Sequence, residues 1–350
     1  MKKVAIVTIY DTNNYGNRLQ NFAVSESLKK MGYRTESFVP VNKNKKRSFK
    51  GYIADLLTYI FPRVFSKWNI DWVRRINFIK FTKSNIPTRY IFDDDGFFYD
   101  NLTSDYDYFV VGSDQVWNPH FWQGESDYNN MFLKFVPKEK RVCFSPSIGV
   151  DEVPNEWIYR FKEGFEGFNY LSIRELSGAE IIKKITGHNA DVLIDPTMML
   201  DADEWIKISK KAKAVKKPYV LEYFLGNSDE EKLKEIADSK KLSRLTLCDK
   251  ANPEVYSYGP AEFIYMIANA ELVCTDSFHA CVFAILFNKP FIILKRQGYK
   301  INMYTRIDSL LSLFGVDKTD DVIHIDESIR DNVLKAERKK IHEFLKKSFG

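Results

Sequence analysis

Short apolar runs recur along the chain, each closed by a polar turn and followed by apolar positions at helical spacing. Residues 3–10 are apolar on both faces, the pattern of a strand in the middle of a parallel sheet. A tight polar stretch, 11–16, leads into 17–31, where Leu19, Phe22, Ala23, Leu28 and Met31 make one apolar stripe. Gly32 closes this helix, and 35–39 is the next strand. Residues 86–105 read as an acidic loop. Strands are then predicted over 108–112, 141–145, 170–173 and 192–194, with helices over 157–168 and up to 185. A stretch rich in Lys and Ala, 200–217, interrupts the alternation, and Pro218 restarts it. Strands follow over 219–224, 244–248, 271–275 and 291–294. Helices fill 229–241, 261–268 and 279–287, then 303–314 and 329–349.

Two alternating halves with a joint between them predict an α/β protein of two Rossmann-like domains facing a cleft, with mostly parallel sheets. The expected boundaries are 1–200, carrying a basic helical insert at 42–85, then 201–325, then an amphipathic lysine-rich helix over 326–350. The loop after the first strand offers only Gly16, not the glycine pattern of dinucleotide binding, so NAD is not implied.

One unit stands out for chemistry. Leu272 to Cys274 is an apolar run, Thr275, Asp276 and Ser277 are cap-type residues, and an apolar helix follows. In a βαβ unit the strand's C-terminal end and the helix's N-terminus meet at the edge where ligands bind. His279 falls in the first turn of that helix, beside unpaired N–H groups and the positive end of the dipole. The placement suits an acid that faces an anion.

Composition changes this picture little. The 350 residues suit two domains, and 45% apolar content is enough for ordinary cores. Cys143, Cys248, Cys274 and Cys281 lie in apolar runs without a C-x-x-C pair, which predicts buried thiols in a reducing compartment and no metal site. The basic start is too short for a signal peptide, and no apolar stretch is long enough to span a membrane; the expected location is cytoplasmic. Charge is uneven. The net is +5, but eleven Lys/Arg against Asp55 and Asp71 concentrate in 42–83. With its aromatics, this insert is either a helical cap with a solvated basic face or a peripheral contact with anionic lipid at the inner face of the plasma membrane. No nucleic-acid fold accompanies it.

Several blocks, in order, carry a resemblance: Asn14-Tyr15-Gly16-Asn17-Arg18-Leu19-Gln20-Asn21, Gly112-Ser113-Asp114-Gln115-Val116-Trp117-Asn118, Ser172-Ile173-Arg174-Glu175, Asp195-Pro196-Thr197 and Thr275-Asp276-Ser277-Phe278-His279 with Asn288-Lys289-Pro290. Over about residues 4 to 294 the chain resembles the polysaccharide pyruvyl transferase family. The resemblance implies a glycosyltransferase-B-like pair of domains, the N-terminal one on the acceptor side and the C-terminal one on the donor side. It implies transfer of the enolpyruvyl unit of phosphoenolpyruvate, as donor substrate and with no further cofactor, to two hydroxyls of a sugar or lipid-linked oligosaccharide in cell-surface polysaccharide synthesis. It also implies that His279 is catalytic and that Arg174 binds the donor. Many members carry Arg two residues before the histidine, where this chain has Ser277.

The residues fit that chemistry as follows. Protonation of the donor's methylene carbon needs an acid near neutrality, assigned to His279. Arg174 at a strand end offers a planar fork for carboxylate or phosphate, or else pairs with Glu175. Thr275 and Ser277 either cap their helix or donate to the donor's phosphate. Lys295 and Arg296 are the expected replacements for the missing arginine. Asp114 and Asp276 are candidate bases for the attacking hydroxyl, Asp114 having an Asx turn as its alternative. Asn14, Tyr15, Asn17 and Gln20 are candidate sugar contacts or caps, and Trp117 either stacks on a sugar or fills the core. A nucleotide-sugar-dependent glycosyltransferase and a non-catalytic family member are the competing readings.

Overall fold

The computed structural model describes residues 1–42, 69–93, 102–122, 124–213, 218–294, 305–317 and 321–350. Its first unit is a five-stranded parallel sheet: β1 (Lys3–Val7), β2 (Arg34–Asn42), β3 (Thr88–Asp93), β4 (Tyr108–Val111) and β5 (Arg141–Cys143), ordered β3-β2-β1-β4-β5. The central strand β1 pairs on both sides, Ala5 lying opposite Glu36 and Phe109, which explains why it is apolar on both faces. A short parallel pair, β6 (Ser172–Ile173) and β7 (Asp191–Val192), continues this unit. The second unit is a four-stranded parallel sheet of β8 (Tyr219–Tyr223), β9 (Ser243–Leu247), β10 (Leu272–Thr275) and β11 (Phe291–Ile293), ordered β11-β10-β8-β9. The strand order turns back beside β1 in one sheet and beside β10 in the other, and such reversals are where parallel α/β sheets place ligands.

The two units share one continuous core. Tyr15, on helix α1 (Tyr15–Lys30), stacks on Phe263 of the second unit, with centroids 4.5 Å apart and planes 13° from parallel. Trp205 sits between Phe22 of the first unit and Phe283 of the second, at 5.5 and 4.9 Å. Each aromatic pair adds about 0.5–1.5 kcal/mol beyond its buried area.

Helix α2 (Ile70–Asn85) reinforces the joint. Its Arg74 is buried and donates to the Tyr15 hydroxyl at 2.6 Å and to the carbonyl of Tyr256 at 2.8 Å. Asn77 donates to the carbonyl of Ser257 at 2.7 Å. This part of the basic insert therefore bolts the two units together, and one of its cations faces the interior. The rest of the insert, 43–68, lies outside the described residues.

One expectation is corrected. The supposed loop over 86–105 contains β3, the outer strand of the first sheet. Among the described residues β2 is its one neighbour, so it needs no long apolar run; Thr-Arg-Tyr-Ile-Phe-Asp is half polar and escapes a hydrophobicity reading. The last helix, Glu327–Phe349, returns to the first unit. Phe349 packs on Tyr33 and Tyr108 at 4.5 and 4.9 Å, and Arg338 donates to the carbonyls of Met198 and Leu200 at 2.7 and 3.1 Å. Among the described residues no helix is long and apolar enough to cross a membrane, and no group of three His, Cys, Asp or Glu could hold a metal ion.

Candidate active site

The stretch after β10 folds as its cap-type residues require. The Thr275 hydroxyl donates to the carbonyl of Tyr223 at 2.5 Å and accepts from the N–H of Ser277 at 3.0 Å, which turns the chain sharply into the helix Phe278–Leu286. Ser277 is the N-cap, yet its side chain makes no capping bond. His279 thus enters the boundary between the units on a helix end that has no capping side chain. Its side chain is 9% exposed, and Nε2 lies 3.5 Å from the Asp195 carboxylate. That is an ion-pair distance, longer than a hydrogen bond, and Nε2 has no hydrogen-bond partner.

Asp195 organises the cluster. It starts a short 3-10 turn, Pro196–Met199, and one oxygen accepts from the N–H and hydroxyl of Thr197 at 2.9 and 2.7 Å. The other oxygen meets Arg174 Nη1 at 2.5 Å and the Ser113 hydroxyl at 3.4 Å. Burial alone would raise this carboxyl's pKa. His279, Arg174 and Thr197 outweigh burial and hold it well below the usual carboxylate range. Asp195 is therefore a fixed negative charge between a histidine and an arginine.

Arg174 does not pair with Glu175, which instead accepts from Ser147, Ile148 and Gly149. Burial opposes the guanidinium's charge, but Asp195 and Asp114 restore it and raise its pKa. Its Nε and Nη2 are buried without a hydrogen bond, and the Asp114 carboxylate stands 3.8 Å from Nη2. Two buried guanidinium donors without acceptors are costly, and an anion would satisfy them.

Asp114 has a left-handed φ of 73° and accepts from Asn17 Nδ2 at 3.0 Å. Burial would raise its pKa; His279, Arg174 and Asn17 win and lower it. Asn17 Oδ1 is fully engaged, by the N–H of Asp11 and by Arg18. Gly16, one residue earlier, presents its bare Cα to the histidine: a Cβ there would lie 2.0 Å from His279 Nδ1. The start of α1 and the start of the histidine helix thus meet face to face.

The remaining expected site residues sit elsewhere. Tyr15 and Trp117 are fully buried, Tyr15 in the interdomain core and Trp117 stacked on Phe132 at 5.3 Å with its N–H on the carbonyl of Met131. Neither presents a face to a sugar. Asn14 caps α1 by accepting from the N–H of Asn17 at 3.2 Å. Gln20 is buried behind, donating to Thr8 at 3.1 Å. Asp276 accepts from the N–H groups of Leu225 and Gly226 at 2.7 and 3.1 Å, and so ties down the loop after β8. Lys295 and Arg296 lie outside the described residues. Two residues had no role assigned from sequence. Asp195 closes a predicted strand, and Asp195-Pro196-Thr197 carries part of the family resemblance without a role of its own. Arg306 follows in a later helix, Thr305–Leu313, and no motif marks it.

Beside the cluster a pocket of about 210 Å³ opens. Arg174, Asp195 and Arg306 contribute to its polar side, and Phe278, Val192, Leu193, Ile194 and Leu310 to its apolar side.

Two parallel α/β units that close over a buried histidine, two carboxylates and an arginine define a two-domain α/β cleft protein. The chain belongs to the polysaccharide pyruvyl transferase family, whose sequence profile matches residues 14–298. Family membership supports a transferase. No curated protein sequence gives a significant match. Solved structures similar to this chain include a functionally uncharacterised protein, KP1_0663, of Klebsiella pneumoniae (14% identity, 87% of this chain and 88% of that one, TM-score 0.43). Others are MnaA of S. aureus with UDP (12%, 97% and 88%, TM-score 0.47) and an alpha-glucosyltransferase with UDP and DNA (12%, 98% and 95%, TM-score 0.48).

Proposed function

We propose that the protein transfers the enolpyruvyl group of phosphoenolpyruvate to two hydroxyls of one sugar, in a surface polysaccharide or its lipid-linked precursor. The observation that carries this reading is the His279–Asp195–Arg174 cluster, buried at a helix N-terminus within the family-matched stretch. His279 gives a proton to the methylene carbon, which becomes a methyl group. The neighbouring carbon gains oxocarbenium character, and a sugar hydroxyl adds to it while losing its proton. The C–O bond to phosphate then breaks, inorganic phosphate leaves with a proton, and the second hydroxyl closes the ketal as it loses its own proton, which returns to His279. Asp195 supplies a fixed countercharge to an imidazolium at His279. Arg174 supplies two unused donors to the donor's carboxylate or phosphate. Asp114, kept ionised at the same cluster, is the candidate acceptor of the hydroxyl proton.

The proposal places the work in the cytoplasm, with a lipid-linked acceptor presented at the inner face of the plasma membrane. The deciding experiment incubates the protein with phosphoenolpyruvate and a panel of sugar acceptors. Release of inorganic phosphate together with a pyruvyl mass gain on one sugar supports the reading. Transfer from a nucleotide sugar, or no turnover with any acceptor while phosphoenolpyruvate fails to stabilise the fold, refutes it.

A further inference from the structure

Tyr10 ends the apolar run that opens the chain, before the family-matched stretch 14–298, and carries no assignment. It stands just past the C-terminal end of the central strand β1, the edge at which a parallel α/β sheet takes its ligands. Its ring is half-buried. Among the described residues the apolar core takes in the neighbouring Ile9 at its margin, but not Tyr10. One face of the ring lies instead on a guanidinium: the central carbon of Arg18 is 4.5 Å from the ring centre. Arg18 is 1% exposed and held in place. Its Nη2 donates to the carbonyl of Ile9 at 2.6 Å, and Nε and Nη2 donate to Asn17 Oδ1 at 3.1 and 2.6 Å. Asn17 in turn donates to Asp114 at 3.0 Å, and the charges of Arg18 and Asp114 act on each other. Tyr10 is thus joined to the candidate base through one guanidinium and one amide. Tyr90 of β3 and Arg75 of α2, both exposed, stand near enough to act on the Tyr10 hydroxyl.

Tyrosine offers a rigid apolar face with a polar tip, which suits a ligand that is apolar on one face and hydroxylated at its edge. A pyranose ring is such a ligand: C–H bonds gather on a face, and hydroxyls project from the rim. We propose that Tyr10 is the stacking platform for the acceptor sugar, which lies on the face opposite Arg18. This rests on the function proposed above, under which the stack turns the rim hydroxyls toward Asp114, the acceptor of the first proton. Arg18 beneath the ring fixes its plane before the sugar arrives, so little ordering remains to be done on binding. The class of acceptor follows. A hexopyranose with an unbroken C–H face lies flat on Tyr10, whereas an axial hydroxyl on that face holds the sugar off the ring. Tyr10 thereby takes the part that the buried Tyr15 and Trp117 cannot.

The test is saturation-transfer NMR titration of the full chain with the methyl glycosides of glucose, galactose, mannose and N-acetylglucosamine, with and without phosphoenolpyruvate. It compares wild type with Tyr10→Ala, Tyr10→Leu and Tyr10→Phe. Tyr10→Ala is expected to bind the best glycoside about tenfold more weakly, the loss of one stacked ring. Tyr10→Phe keeps the ring and is expected to bind as the wild type does. Unchanged glycoside binding by Tyr10→Ala overturns the platform, as does an equal loss in Tyr10→Phe. Should Tyr10→Ala not fold, Tyr10→Leu decides, since it keeps apolar bulk but loses the flat face: wild-type affinity there overturns the platform. Tyr10-dependent glycoside binding without phosphate release from phosphoenolpyruvate keeps the platform and sinks the transfer reading. Phosphate release with glycoside binding that ignores Tyr10 does the reverse. A wild-type protein that binds no glycoside of the panel overturns the platform.

Discussion

Gly16 and His279 touch across the domain boundary, with no room for a single methyl group between the Gly16 Cα and the imidazole Nδ1. Asp195 stands at the ring's other nitrogen, so the ring cannot simply step aside. Gly16→Ala is predicted to displace the histidine or part the two units. The expected loss is about 1–3 kcal/mol of stability and about 100-fold in kcat. Thermal unfolding and phosphate-release kinetics measure the two effects separately. Wild-type values for both would mean that the ring is far more mobile than its packing allows.

His279→Gln keeps a polar side chain of similar length and removes the acid. A fall in kcat of about 10²–10⁴-fold, with little change in unfolding temperature, is expected for loss of general acid catalysis. A variant with full activity would remove His279 from the chemistry.

Asp195→Asn breaks a buried ion pair and leaves Arg174 with only the more distant Asp114 carboxylate, at a cost of about 3 kcal/mol. The pH dependence carries a sign. Asp195 and Asp114 have folded pKa values below the ordinary carboxylate range. Their contribution is fully present above about pH 4, where the unfolded carboxyls are ionised, and fades as pH falls through the lower folded values. In that window the unfolded chain binds more protons, so stability rises with pH. Denaturant midpoints measured from pH 2 to pH 6 are predicted to rise steeply for the wild type and less steeply for Asp195→Asn. Parallel curves would rule out the linkage.

Arg74→Met is predicted to loosen the two units rather than unfold either. It removes donors from the Tyr15 hydroxyl, the Tyr256 carbonyl and Asn13, worth about 2–3 kcal/mol together. Urea unfolding followed by fluorescence is expected to separate into two transitions. One unchanged cooperative transition would show that the shared aromatic core suffices by itself.

How much of this is legible in the sequence depends on the element. Central strands such as β1 and β10 declare themselves because burial on both faces demands unbroken apolar runs. The outer strand β3 does not, because one neighbour tolerates Arg89 and Tyr90. In the candidate site, type and position single out His279, Arg174, Asp114 and Asn17, and the fold brings these four together. Tyr15 and Trp117 stay ambiguous in the sequence because an aromatic beside a polar motif looks the same whether it faces a cleft or plugs a core; in the fold both are buried in the core. Asp195 was hidden by its capping duty. Arg306 was invisible, since only the folded chain carries it to Phe278. Gly16 was noted for lacking companions, whereas its significance lies in what occupies the space beside it.

The return of the last helix to the first unit has a mechanical consequence. Among the described residues the polypeptide passes between the units twice, once between the helix Ala202–Ile208 and β8, and once between Ile323, which pairs with Phe291, and the helix Glu327–Phe349. Where the shared core and the Arg74 and Asn77 bonds yield, the two chain crossings leave one easy movement, rotation about the line that joins them. Admission of a substrate to His279 is then a swing like that of a door on two pins, with sliding and twisting suppressed. Distances between labels placed on the outer helices of the two units should change together along one path as the cleft fills, and independent changes would show that one pin does not hold.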